Sequence, residues 1–152
     1  MTRAGDKTSP NIVLIMTDQQ RADLLSREGY PLNTMPFLDR LASHGTWFDK
    51  AYTTSPASVP ARTSLLTGRY PKATHVRNNQ NEQDAFFEKD MFHVLEEKGY
   101  TTALIGKNHT YLNAERLDYW TEYNHAGKVK NSDSDKSYLF DKFLKDTQLY
   151  AS

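Results

Sequence analysis

The sequence predicts an α/β fold, a mostly parallel sheet flanked by helices, and an incomplete one. Three observations carry this. Two short apolar runs rich in β-branched residues, "NIVLIMT" (11–17) and "TTALIG" (101–106), have the length and continuity of buried strands. Helical patterns lie between them, so the order is strand, helix, strand, helix, helix, strand. After residue 110 the pattern weakens, and residue 152 is reached through "QLYAS" with no closing strand.

Each element has its own signal. Residues 1–10 read as a leader with no apolar signal-peptide core. "TMPFLDRLASHG" (34–45) predicts a helix capped by Thr34, with Pro36 in its first turn and Gly45 at its end. Phe37, Leu38, Leu41 and Ala42 fall on one face of it. "TWFDKAY" (46–52) alternates like a strand. In "SPASVPARTSLLTGRYP" (55–71), Pro60 suits a first helical turn and Gly68 a C-terminal stop. Residues 71–85 read as loop. "FEKDMFHVLEEKGY" (87–100) predicts an amphipathic helix with Phe87, Met91, Val94 and Leu95 inward. "HAGKVKNSDSDKS" (125–137) reads as polar loop and "YLFDKFLKD" (138–146) as helix.

Composition narrows the function classes. Lysine plus arginine balance aspartate plus glutamate at 19 each, which gives no footprint for nucleic acid or an anionic membrane. There is no cysteine, so disulfides, thiolate metal sites and a cysteine nucleophile are excluded. No apolar stretch approaches the roughly 20 residues of a membrane span. Hydrophobic residues make up 38% and mean hydropathy is −0.75, low for a chain that carries a whole core. Neither compartment nor localisation is fixed by any of this.

In an open α/β sheet, ligands gather beyond the carboxyl ends of the strands. Three polar clusters fall there. Asp18 and Gln19 follow the first strand and offer hard oxygens suited to Ca²⁺ or Mg²⁺; the plainer reading is a turn-capping Asp. Ser58 precedes a helix N-terminus, where backbone N–H groups favour an anion. Arg62, four residues on, reaches back along the same side, and its forked donors suit a tetrahedral oxyanion. The plainer reading is an ordinary helix entrance. Lys107 and His109 alternate after the strand 101–106 and so point the same way; the plainer reading is an exposed loop.

Taken in order, these pieces resemble the sulfatases of the alkaline-phosphatase superfamily. Ser58-Val59-Pro60-Ala61-Arg62, then Leu66-Thr67-Gly68-Arg69, is similar to the sulfatase signature in its serine form. "NIVLIMTDQQ" is similar to the family's strand-plus-acid opening, and Gly106-Lys107-Asn108-His109 to its Gly-Lys-x-His motif. The motifs cover residues 11 to about 112.

The resemblance implies an alkaline-phosphatase-like fold, of which residues 11–152 would be the N-terminal part of the catalytic domain. It implies a metal-dependent sulfuric ester hydrolase acting on a sulfated small molecule or glycan. Ser58 would be the residue that a maturation enzyme oxidises to formylglycine. Asp18, Gln19 and residue 58 would hold Ca²⁺, with Mg²⁺ as the alternative. Arg62 would brace the formylglycine, Lys107 would contact the sulfate and His109 would bond the formylglycine hydroxyl. Asn79 would face the substrate, and His75 reads as structural. One hydroxyl of the aldehyde hydrate would attack sulfur and release the alcohol; the second would lose its proton and expel sulfate, regenerating the aldehyde.

The sequence departs from the family pattern. Ser58 stands for the commoner cysteine, Gln19 for a second aspartate and Asn108 for a frequent tryptophan. The resemblance places further metal ligands, a second lysine and a leaving-group histidine beyond this chain. Asp133 and Asp135 sit in a Ser-rich loop that offers no substitute. Two alternatives follow: a phosphonate monoester or phosphodiester hydrolase of the same superfamily, and a catalytically inert fragment that needs the absent C-terminal portion as its partner.

Overall fold

Two strands pair in parallel, β1 (Ala103–Gly106) and β2 (Tyr119–Glu122), in register Ala103 to Tyr119 through Gly106 to Glu122. The computed structural model describes residues 9–80 and 85–123. Among the described residues four α-helices precede the pair: α1 (Pro36–His44), α2 (Ser58–Thr67), α3 (Pro71–Thr74) and α4 (Met91–Glu97). The chain is α/β, as its pattern predicts. It divides into two units, one of Pro10–Tyr52 and one of Met1–Ser9 with Thr53–Ser152.

In the unit 10–52 the structure corrects four expectations. "NIVLIMT" is not a strand and is not buried: Ile12, Val13, Leu14, Ile15 and Met16 are all exposed, Ile15 at 77%. A strand is defined by its ladder, and this segment has no ladder partner among the described residues. "TWFDKAY" is likewise no strand, with Phe48 and Tyr52 exposed. The helix at 34–45 exists as α1 with Pro36 in its first turn, but Thr34 does not cap it. The Thr34 hydroxyl donates instead to the Leu24 carbonyl at 2.6 Å. Gly45 follows the last turn in extended backbone. Of the expected inner face, Phe37 and Leu41 are exposed. Order here is local. Two 3₁₀ turns, Ala22–Leu24 and Ser26–Glu28, precede α1. Asp39 accepts from the backbone N–H groups of Ser26 and Arg27, and the Arg27 guanidinium lies 4.6 Å from the Trp47 ring centre.

The unit from Thr53 onward holds the main core. Leu66 of α2, Phe92 of α4, Leu112 and Leu117 form it, with Met91, Leu104 and Tyr111 packed against them. Helix α2 ends at Gly68 in the left-handed conformation, whose N–H bonds the Ser64 carbonyl at 2.8 Å. Residues 71–74, expected as loop, form the short α3 behind Pro71. Helix α4 starts four residues later than its pattern suggested, because Asp90 caps it: the carboxylate accepts from the His93 N–H at 2.9 Å. Phe92 rather than Val94 faces inward, and Val94 is exposed.

The connection from β1 to β2, residues 107–118, contains a 3₁₀ turn at Ala114–Arg116. The weakening pattern after residue 110 hid both that turn and β2. The loop and helix expected at 125–137 and 138–146 lie outside the described residues, as do Asp133 and Asp135. So does the leader, apart from Ser9 and Pro10, which are exposed. No helix among the described residues is long and apolar enough to cross a membrane.

Candidate active site

Helix α2 begins at Ser58 itself, and its N-cap, Ala57, has no side chain that can cap. The opening turn is served from a distance. The Asn79 Oδ1 accepts from the Val59 N–H at 3.0 Å, across 20 residues of sequence. Pro60 has no N–H, so it leaves one donor fewer to satisfy. Asn79, expected to face a substrate, therefore holds the helix start beside Ser58. The segment 75–79 reaches that position through a backbone turn: His75 lies at φ 65°, and Val76 behind it is fully buried.

Two side chains meet the Ser58 hydroxyl. Arg62 Nε donates to Ser58 Oγ at 3.2 Å, one helical turn along the same face. His109 Nδ1 lies 3.1 Å from the same oxygen, brought in from the end of β1. The hydroxyl has one proton and two lone pairs. With Arg62 donating, it can give its proton to a neutral His109 or accept a second bond from a protonated one. Arg62 Nη1 also donates to the Lys107 carbonyl at 3.2 Å, tying α2 to the strand end. Ser58, Arg62, Lys107 and His109 are all half-buried. The start of α2 and the segment after β1 thus meet at the Ser58 hydroxyl.

Asp18 and Gln19 belong to the unit 10–52, where both are exposed and Gln19 lies at φ 57°. Their donor atoms are hard oxygens, as Ca²⁺ or Mg²⁺ requires. They supply at most two side-chain ligands where Ca²⁺ takes about six to eight oxygens. Among the described residues, no group of three or more His, Asp or Glu gathers to hold a metal. The donors fit such an ion in kind and fall short in number.

The sequence pattern did not reveal the network behind the site. Asp90 is 2% exposed. It accepts a two-pronged bond from Arg116 Nη2, with both distances 2.9 Å, and the Tyr111 hydroxyl at 2.9 Å. Arg116 also pairs with Glu96 at 3.2 Å. Burial pushes the Asp90 carboxyl up, but the His93 N–H, the Tyr111 hydroxyl and the Arg116 charge outweigh it and hold the carboxyl below its ordinary value. Burial, then the Asp90 charge, holds the Tyr111 hydroxyl un-ionised well above its usual range. This network fastens the loop after His109 to α4. One signal was available: Asp90 stands three residues before His93 at the head of an apolar helical run, the spacing of an N-cap and its N3 partner.

The family profile described as Sulfatase matches residues 10–151. The chain belongs to the sulfatase family. It is similar to an N-acetylglucosamine-6-O-sulfatase of Bacteroides thetaiotaomicron, 33% identical over 74% of this chain and 20% of the relative. It is similar to an ulvan-active sulfatase of Formosa agariphila, 37% identical over 76% of this chain and 24% of the relative. An arylsulfatase of Clostridium perfringens is 39% identical over 67% of this chain and 21% of its own length. The sulfatase chain thus spans about a fifth to a quarter of these relatives. No solved structure matches it.

Proposed function

We propose that this sulfatase chain is the N-terminal part of a metal-dependent sulfuric ester hydrolase in which residue 58 works as formylglycine. The observation that carries the reading is the meeting of Arg62 Nε and His109 Nδ1 on Ser58 Oγ, at 3.2 and 3.1 Å. A hydroxyl at a helix start, gripped by a cation and an imidazole, is placed for covalent chemistry on an anion.

Formylglycine at position 58 supplies a hydrate, one hydroxyl for attack on sulfur and a second for release of sulfate. The chain's own residues do the rest. Arg62 steadies the oxygen on residue 58 and, through the Lys107 carbonyl, fixes the strand end against it. His109 holds or moves a proton at that oxygen. The Lys107 ammonium offsets the charge of the sulfate. Asp18 and Gln19, with residue 58, would hold the divalent cation, Ca²⁺ by family and Mg²⁺ as the alternative. That ion would polarise the sulfate oxygens. Two relatives are named for N-acetylglucosamine and for ulvan, so the proposed ester is on a carbohydrate. Because Asp18, Gln19 and residue 58 fall short of the roughly six to eight oxygens Ca²⁺ takes, the 152-residue chain alone is proposed to be inactive, the remaining ligands coming from further polypeptide.

Peptide mass spectrometry of the protein from its native host tests the reading. The peptide holding Ser58 is expected to be two hydrogens lighter than serine requires; unmodified Ser58 in an active native enzyme refutes the formylglycine mechanism. The Asp18-Gln19 pair favours a second reading, a phosphonate monoester or phosphodiester hydrolase. Higher proficiency of the native enzyme on those esters than on an aryl sulfate would establish it.

A further inference from the structure

His109 has a backbone φ of 44°, in the left-handed region that residues other than glycine rarely occupy. Its ring nevertheless meets Ser58 Oγ at 3.1 Å. The surroundings must hold it there.

The residue before it supplies a hold. Asn108 is 8% exposed, and both ends of its amide are engaged. Nδ2 donates to the Leu112 carbonyl at 2.7 Å, and Oδ1 accepts from the Thr110 hydroxyl at 2.7 Å. The Thr110 oxygen in turn accepts from the Leu112 N–H at 3.0 Å. Only one amide orientation satisfies this set, since a carbonyl cannot donate to a carbonyl. The amide thus closes the backbone around His109, from 108 to 112. Leu112 is anchored in the core, and Tyr111 is anchored on Asp90.

We propose that Asn108 is a positioning residue: its buried amide closes the 108–112 loop and so holds the His109 ring on the residue-58 oxygen. It touches no reacting atom and acts through His109. Its consequence for turnover rests on the function proposed above; the geometric claim does not.

Nitrogen NMR of the histidine ring in the 152-residue chain tests this without requiring activity. Ser58→Ala gives the His109 Nδ1 shift of a ring that has lost the Ser58 hydroxyl. Asn108→Asp, equal in size but unable to donate to the Leu112 carbonyl, is expected to move the Nδ1 shift at least halfway to that value. The methyl signals of Leu66 and Leu117 should stay in place. Thr110→Val, which removes the hydroxyl that Oδ1 accepts, should move it in the same direction. A wild-type Nδ1 shift in both variants with the core signals intact overturns the proposal. Loss of the core signals in both also overturns it, because Asn108 is then a residue of the fold and not of His109. If Ser58→Ala leaves the His109 shift unchanged, the Ser58–His109 contact itself fails, and both this proposal and the site reading fall. An unmodified Ser58 in the native enzyme would sink only the mechanism.

Discussion

Two apolar runs of similar composition end differently in this molecule. "TTALIG" contains β1, with Leu104 laddered to Trp120 and packed against the core. "NIVLIMT" is the more hydrophobic of the two, yet Ile12 through Met16 stand exposed and unladdered among the described residues. Composition records which residues gain by burial. It does not name the segment that covers them. The same contrast runs through the two units. Contacts in 10–52 include Asp39 on Ser26 and Arg27 and the Arg27 guanidinium on Trp47. Those after Thr53 include longer ones, Arg62 on the Lys107 carbonyl and His109 on Ser58, 45 and 51 residues apart.

The largest effect should come from Asp90. Asp90→Ala leaves the partly buried Arg116 without its two-pronged acceptor and Tyr111 without its own. A loss of about 3 kcal/mol is expected for breaking such a pair. The two tryptophans allow each unit to be read alone, Trp47 in one and Trp120 in the other. In single-tryptophan variants, urea unfolding followed at Trp120 should move to lower urea, while the Trp47 signal stays. Equal movement of both would make the units one cooperative body and break the comparison.

The pH dependence has a definite sign. Folding lowers the Asp90 pKa, so its contribution is complete above the unfolded value of about 3.9 and is lost as pH falls through the folded value. The Trp120 midpoint should drop on acidification below about pH 4, and less so in Asp90→Asn. Folding raises the Tyr111 pKa, so its contribution is complete below about pH 10 and is lost as pH rises beyond it.

A middling effect is expected at Asn79. Asn79→Ala removes the acceptor for the Val59 N–H and should cost about 1 kcal/mol, the usual value of a helix cap. Asn79→Asp keeps an acceptor and should retain most of it. Hydrogen exchange at Val59 is the direct measurement: faster in the alanine variant, near wild type in the aspartate. Unchanged exchange in Asn79→Ala would show that Asn79 does not hold the start of α2.

The Ser58–Arg62 contact was legible because one helical turn separates the two residues. The alternation that would set Lys107 and His109 on one side presumes extended backbone, and His109 lies at φ 44°. The partners of Asp90 were not legible, because Tyr111 and Arg116 reach it across a crossover that no periodicity marks. The bond from the Val59 N–H to Asn79 was not legible for a related reason: it crosses 20 residues that no periodicity marks. The runs at 11–17 and 46–52 do not form strands, because an apolar or alternating pattern alone supplies no ladder partner. α2 and β1 form, β1 through its ladder with β2 and α2 through its fit against the core, but β1 is not the buried strand its run predicts: Ile105 is 43% exposed.

The smallest expected effect is the most direct test of that reading. Ile15 is 77% exposed, so Ile15→Ser removes almost no buried surface and should change stability by less than about 0.5 kcal/mol. Leu104→Ser strikes a chemically similar residue in a similar run, but one packed on the core and laddered to Trp120. About 2 kcal/mol should be lost there, as for other large-to-small changes in a core. Urea midpoints at Trp47 and Trp120, read on the same two variants, compare them directly. If Ile15→Ser costs as much as Leu104→Ser, the run at 11–17 is buried in solution after all, and its apolar pattern was a strand signal that the exposed conformation does not express.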